Sequence, residues 1–169
     1  MIVSLGACGT SEKSDSTASG DSKSSSNVTG YDVSGVTKDA DIAAMLPESV
    51  TKDGKLTVGM DTSYAPAEFL AEDGKTPVGF DVDIAKALAN MFGLEVVPQT
   101  EGTLEALGED VGVTKEAVAI KKGDSDTAKA VQAALQKLMD DGTYMKILKH
   151  WGVENGAIDK AEINPTDLG

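Results

Sequence analysis

Apolar and polar positions are most regularly arranged between residues 54 and 98. Residues 56–60 alternate apolar and polar side chains, which is typical of a half-buried strand. Residues 82–92 repeat their apolar side chains every three or four positions, which predicts an amphipathic helix. The run 94–98 predicts a second strand. A strand, a helix and a strand in this order favour a parallel sheet.

Polar signals predict where these elements begin and end. Asp81 is expected at the N-cap of the helix and Asp83 in its first turn, because both carboxylates can accept from free backbone amides there. Gly93 is expected to end the helix in a left-handed conformation. Asp73-Gly74 predicts a hairpin turn between short apolar segments on either side.

Weaker patterns flank this region. On the amino-terminal side, ordered structure is expected from about Val36, with a short helix over 37–46 that Pro47 stops. On the carboxyl-terminal side, 117–121 predicts a strand. Two helices should follow it, the first capped by Asp124 or Ser125 and ending near Asp141, the second spanning 144–150.

Composition narrows the class of protein. The 169 residues carry a net charge of −13, enough chain for one ordinary domain and a tail. All fifteen basic residues are lysine, so nucleic acid is a poor candidate partner. The single Cys8 and the single His150 leave no disulfide and no cysteine or histidine metal site, and no cofactor is expected. The chain has no apolar stretch of about 20 residues that could span a membrane.

The amino-terminal segment resembles a targeting signal. Leu5-Gly-Ala-Cys8 is similar to a bacterial lipobox, whose cysteine is lipidated after cleavage. The segment 9–27 that follows holds eight serines and almost no apolar residue, so it cannot fold by burial and suits a flexible tether. The alternative is a chance cysteine beside a disordered tail. Residues 1–7 are shorter than a signal peptide and lack basic residues, so a truncated start is expected.

Two side chains after the first strand are candidates for ligand binding. Asp61 and Tyr64 lie in a loop at the carboxyl end of a strand expected in a parallel sheet, where α/β folds place ligands. Asp61 could pair with a cationic group, and Tyr64 could cover that group with its ring face. Spacing alone leaves the alternatives open: Asp61 as a turn cap and Tyr64 as a partly buried loop aromatic.

Motifs at both ends of the ordered region resemble the polar amino-acid-binding proteins of ABC importers, the family 3 solute-binding proteins. The first is Asp61, Tyr64-Ala-Pro-Ala-Glu68 and Gly79-Phe-Asp-Val-Asp83 ahead of an alanine-rich helix. The second is Ala119-Ile-Lys-Lys-Gly-Asp124 and the segment from Asp141-Gly-Thr-Tyr to His150-Trp-Gly152. Within that family, the combination of Ile42-Ala-Ala-Met-Leu-Pro-Glu48 with Trp151-Gly-Val-Glu-Asn-Gly-Ala-Ile158 is similar to the lipoprotein binders of Gram-positive bacteria.

The resemblance implies a fold and a site. Family members close two lobes on an amino acid, and the residues that match Asp61 and Tyr64 line the ligand cleft, while the position of Glu68 has a more structural role. It also implies a location on the extracellular face of the cell membrane, anchored only through lipid on Cys8, and permease subunits as partners.

The chain departs from the family in its middle. The rest of lobe one and all of lobe two, which should follow Gln99, have no counterpart here. That stretch supplies the arginine that clamps the ligand's carboxylate, and lysine does not reproduce this forked geometry. Ala67 also stands where an aromatic residue is frequent. A sheet edge or an apolar patch is expected to be exposed, so a stable monomer is not assured.

These observations divide the chain into five parts. Residues 1–8 are expected to be a truncated lipoprotein signal and lipobox, and 9–35 a disordered serine-rich tether. Residues 36–100 and 116–169 are expected to form the two parts of lobe one, with a deletion seam at 101–115. The fold class expected is α/β, a single periplasmic-binding-protein-like lobe with a parallel-sheet core and flanking helices, the second lobe being absent.

The favoured function is the substrate-binding component of an amino-acid ABC importer, with ligand binding impaired or lost. The alternative is a lipid-tethered surface module that binds another protein. An enzyme is disfavoured because no convincing nucleophile and base pair is present, so no catalytic residue is assigned.

Overall fold

Two small sheets and five α-helices make up residues 29–100 and 116–166, the part of the chain that the computed structural model describes. The strands are β1 (Lys55–Gly59), β2 (Ser63–Tyr64), β3 (Glu68–Leu70), β4 (Pro77–Val78) and β5 (Glu95–Gln99). The helices are α1 (Ala40–Ala43), α2 (Glu48–Thr51), α3 (Phe80–Phe92), α4 (Ser125–Asp140) and α5 (Thr143–Trp151), and a 3-10 helix spans Glu154–Gly156.

The unit β1–α3–β5 confirms the expected α/β class. β1 and β5 pair in parallel, from Lys55 opposite Glu95 to Gly59 opposite Gln99. Both strands lie within one residue of the predicted ranges. Gly93 ends α3 in the left-handed conformation that the sequence predicted, with φ of 71°.

Helix α3 is buried on two sides. Toward the sheet, Val82 and Ala85 pack with Met60. Toward the other helices, the larger cluster places apolar side chains of α3 against α4 and α5, so that α3 lies between the sheet and the helical layer. The buried members of that cluster from the three helices are Ala87, Leu88, Met91, Phe92, Ala130, Ala134, Leu138 and Ile147.

The predicted hairpin is present and leads directly into α3. β3 and β4 pair antiparallel, with Phe69 opposite Val78, and β2 extends this sheet by pairing with β3. At the junction with α3, Gly79 has φ of 140°, and a Cβ atom there would lie 2.0 Å from the Ala67 carbonyl oxygen. This close approach of two backbones requires glycine.

Ordered structure begins earlier than predicted. Val33 is buried in the helical cluster, and its carbonyl accepts from Asn90 Nδ2 at 3.0 Å. The Tyr31 N–H donates to Asp83 at 2.7 Å, and the Asp39 N–H donates to the Met91 carbonyl at 2.9 Å. The boundary expected near Val36 is therefore too late, because polar groups of α3 bind the backbone of the preceding segment.

Three local predictions are wrong. The segment 117–121 forms no strand, because no described strand pairs with it and most of its side chains are exposed. The helix predicted over 37–46 is limited to α1, and Pro47 is the N-cap of α2. The N-cap of α3 is Gly79 rather than Asp81, because the chain is already helical at Phe80.

The carboxyl-terminal helices follow their predicted signals. Asp124 caps α4, its side chain accepting from the Thr127 N–H at 3.1 Å. Gly142 precedes α5 and Gly152 ends it, both in the left-handed conformation. Among the helices in residues 29–100 and 116–166, none is long and apolar enough to cross a membrane.

Candidate functional site

Asp61 lies just after β1, on an exposed loop. Its carboxylate oxygen Oδ1 accepts from the Ser63 hydroxyl at 2.7 Å and from the Ser63 N–H at 3.1 Å. These bonds hold the pKa of Asp61 below its usual value, the hydroxyl having the larger effect. Asp61 is thus an ionised turn cap, and within the described residues no protein group bonds its Oδ2.

Glu68 fixes the backbone beneath this carboxylate. Its Oε1 atom accepts from the Asp61 N–H at 2.9 Å, a bond that joins β3 to the end of β1. This contact agrees with the structural role that the resemblance implied for Glu68. Tyr64 pairs with Glu68 across β2 and β3, and it is 56% exposed. The ring is therefore accessible rather than partly buried.

A second group of carboxyls continues from Glu68. Burial, followed by the charges of Glu116 and Glu68, raises the pKa of Asp81 to about 7. The pKa of Glu116 is also raised, first by burial, although its hydrogen bond with Asp81 acts in the opposite direction. The Asp81 carboxyl is therefore the group that keeps a proton and shares it with Glu116. We call Glu68, Asp81 and Glu116 the carboxyl trio.

The trio is connected electrostatically to Asp61 and to α5. Burial raises the pKa of Glu68, and the neighbouring Asp61 charge adds to this. Burial also raises the pKa of Tyr144, with smaller contributions from Asp81 and Glu116. The acidic surface therefore extends from Asp61 to Tyr144 of α5. Sequence reasoning missed this group because it assigned Asp81 to a helix cap and gave Glu116 no role.

Asp83, two residues after Asp81, has a different environment. It is fully buried, and its Oδ2 atom accepts from the Tyr31 N–H at 2.7 Å and from Trp151 Nε1 at 2.8 Å. Lys86 lies 3.4 Å from Oδ1. Asp83 was expected to face free helix amides; it instead joins the amino-terminal segment to the end of α5. The Trp151 ring also contacts Phe69 of β3 edge-on, with centroids 5.8 Å apart.

The candidate ligand residues lie on an open surface. One open surface cavity of about 430 Å³ is lined by Thr29 and Lys86 among others, and another of about the same volume by Gln132 and Lys160 among others. Neither is lined by Asp61 or Tyr64. Among residues 29–100 and 116–166, no group of three or more His, Cys, Asp and Glu side chains could hold a metal ion. Cys8 lies outside the described residues.

The sequence around this site has known relatives. Residues 56–112 match the family described as bacterial extracellular solute-binding proteins, family 3. Over this segment, the chain is similar to the family 3 solute-binding proteins.

A curated relative is the arginine-binding protein ArgT of Corynebacterium glutamicum, 38% identical over 70 residues. The match covers 41% of this chain and 23% of that protein, so the chain spans about a quarter of the length of the curated relative it matches. The relatives identified by sequence are thus named for binding solutes and not for catalysis.

Two solved structures are similar to this chain. Both are arginine-bound forms of domain 1 from TmArgBP, one of them a single-residue mutant. Each is 22% identical to this chain, with a TM-score of 0.45. Each match covers 55% of this chain. It covers 98% of the mutant domain and 100% of the other domain.

Proposed function

We propose that this chain is the substrate-binding component of an amino-acid ABC importer and that Asp61 and Tyr64 contact the ligand. The observation that carries the proposal is the Asp61 carboxylate, which is ionised, exposed and held in place by Ser63 at the carboxyl end of a parallel strand. Ligands of α/β folds bind at that edge of the sheet. The family match over 56–112 includes this strand and this loop.

The charge at the site favours a ligand with a cationic group. Asp61 and Glu68 lie side by side, and Glu68 raises the pKa of Asp81 further along the same surface. A guanidinium or an ammonium would offset this negative charge, and the exposed Tyr64 ring could lie against the cation. Arginine is the first ligand to test, because the curated relative is named as an arginine-binding protein.

We further propose that ligand binding is impaired in this chain. In this proposal, residues 101–115 are a deletion seam that joins two parts of one lobe. The chain has no arginine to form a bidentate clamp on the ligand's carboxylate. Asp61 is exposed and Tyr64 is 56% exposed, whereas small-molecule sites enclose most of the ligand surface. A site that contacts the ligand on one side and leaves its other side in water should bind that ligand weakly.

The proposed partners and location follow from the family. The family description is of extracellular proteins, and we propose lipid attachment at Cys8, on the extracellular face of the cell membrane, followed by a serine-rich tether. Permease subunits of an amino-acid importer are the proposed protein partners. Pull-down from membranes, with recovery of a permease or of other proteins, separates this function from a surface module without a transport role.

Calorimetry with L-arginine, L-lysine, L-glutamine and L-glutamate tests ligand binding. We expect L-arginine to bind with a dissociation constant of about 1 mM or weaker, about −4 kcal/mol. Asp61→Asn should abolish the signal, and Asp159→Asn is the matched control, since Asp159 is an exposed aspartate far along the chain. Micromolar affinity would contradict the impairment, and unchanged affinity in Asp61→Asn would contradict the site.

A further inference from the structure

The two edges of the parallel sheet differ in their hydrogen-bonding groups. The Glu95 N–H donates to the Gly54 carbonyl and the Met60 N–H donates to the Gln99 carbonyl, each at the end of the β1–β5 ladder. Because backbone groups alternate in direction along a strand, the N–H and C=O groups of Thr57 and Gly59 point away from β5. Within the described residues, no strand pairs with this outer edge of β1.

The outer edge of β5 is protected, whereas that of β1 is not. By the same alternation, the outward groups of β5 belong to Val96 and Pro98, and proline has no N–H to offer a further strand. On β1, the outward residues Lys55, Thr57 and Gly59 are all exposed and none is a proline, and the one charged residue, Lys55, lies at the amino-terminal end of the strand. An unprotected edge of this kind is a template for pairing with another strand.

We propose that the outer edge of β1 pairs antiparallel with the same edge of a second copy of this chain. A two-fold axis at Thr57 would place it opposite Thr57 of the second copy, and the two residues would exchange backbone hydrogen bonds. Each Gly59 N–H would donate to the Lys55 carbonyl of the other copy. The Lys55 N–H already donates to Asp53 at 3.0 Å, so the ladder ends there.

A second copy fits this edge because the edge is complementary to itself. The antiparallel register places Lys55 opposite Gly59 and threonine opposite threonine, so no like charges face each other. The product is one four-stranded sheet in place of two separate two-stranded sheets, which are short and marginal alone. The net charge of −13 per chain opposes this association, so added salt should strengthen it.

Light scattering after size exclusion, from about ten micromolar to about one millimolar chain, tests the proposal with three proteins. The wild type should change from the mass of one chain to that of two, at lower concentration in high salt. Thr57→Glu places two carboxylates opposite each other and should remain a monomer throughout. Thr37→Glu adds the same charge at another exposed threonine and should behave as the wild type.

Hydrogen exchange on the wild type keeps the test decisive if Thr57→Glu fails to fold. The Thr57 and Gly59 amides should exchange at least tenfold more slowly at high concentration, while the Val58 amide, which faces β5, should not change. A wild type that stays monomeric, a Thr57→Glu dimer of equal strength, or protection of these amides at every concentration would overturn the proposal. The last result would show that the same chain covers the edge.

Discussion

Two aspartates at the start of α3, Asp81 and Asp83, have opposite effects on the fold. Asp83 is fully buried and its carboxylate is matched by two N–H donors and a lysine. Asp81 faces the carboxylates of Glu68 and Glu116 and holds a proton near neutral pH. Asp83 is thus a structural anchor, whereas Asp81, two positions earlier on the same helix, is electrostatically unfavourable. The residues that surround each carboxylate determine this difference.

The largest effect is expected from Asp83→Ala. This change leaves the Tyr31 N–H and the Trp151 indole N–H without their acceptor. The free energy of unfolding should fall by about 3 kcal/mol, since each unsatisfied buried donor costs about 1–3 kcal/mol. Urea denaturation at neutral pH measures the loss. Asp159→Ala should change stability by less than about 0.5 kcal/mol, and a similarly small loss in Asp83→Ala would contradict the anchor role.

Asp81→Asn should stabilise the protein at neutral pH. The pKa of Asp81 is raised in the folded state from its ordinary value of 3.8 to about 7, so the folded state binds more protons between these values. Stability from this group is therefore present at low pH and is lost as the pH rises from about 4 to about 7. Asp81→Asn should raise Tm at pH 7.5 by about 4 °C or more and flatten its pH dependence.

The control for this prediction separates one carboxyl from the total charge. Asp159→Asn removes the same charge at an exposed position and should leave the slope of Tm between pH 5 and 7.5 as in the wild type. Asp32, Asp39, Asp61 and Asp73 all have lowered pKa values, so their contributions are lost only at lower pH. Equal Tm shifts in both variants would show that Asp81 has no special role.

Trp151→Phe should have a smaller effect than the loss of Asp83. Phenylalanine keeps an aromatic ring against Phe69 but removes the N–H that donates to Asp83. Because the carboxylate retains its other donors, the loss should be about 1–2 kcal/mol in urea denaturation. Tyr144→Phe is the comparison, since its hydroxyl accepts only a long 3.3 Å bond from the Ile158 N–H. An equal loss in both variants would argue against the indole hydrogen bond.

Glu68→Gln should change stability least. An amide oxygen can still accept from the Asp61 N–H, so the loop is retained, and the effect on unfolding should be within about 0.5 kcal/mol. The removed charge no longer acts on Asp81, so the pKa of Asp81 should fall. NMR titration of the Asp81 carboxyl carbon measures this. A pKa that does not fall would mean that the trio is not electrostatically connected.

Local signals were sufficient for the β1–α3–β5 unit and the hairpin. Each depends on a period, a glycine or a turn residue within a few positions, and the structure has them within one or two residues. The strand predicted at 117–121 is wrong because a strand also requires a partner, and pairing is not a local property.

The roles of Asp81 and Asp83 could not be predicted for a similar reason. Both fit the pattern of acidic residues in a first helical turn. Their environments are set by Tyr31, Trp151 and Glu116, which are distant in sequence. The site loop was identified by its position after the first strand, whereas its bonds to Ser63 and Glu68 required the fold.

The most direct test of the proposed function is an NMR titration of the ¹⁵N-labelled chain with L-arginine up to tens of millimolar. We expect saturable shifts of the Asp61, Ser63 and Tyr64 amides, with a dissociation constant of about 1 mM or weaker, and their loss in Asp61→Asn but not in Asp159→Asn. Shifts confined to other parts of the chain, or no shifts with any polar amino acid, would contradict an amino-acid site at Asp61 and Tyr64.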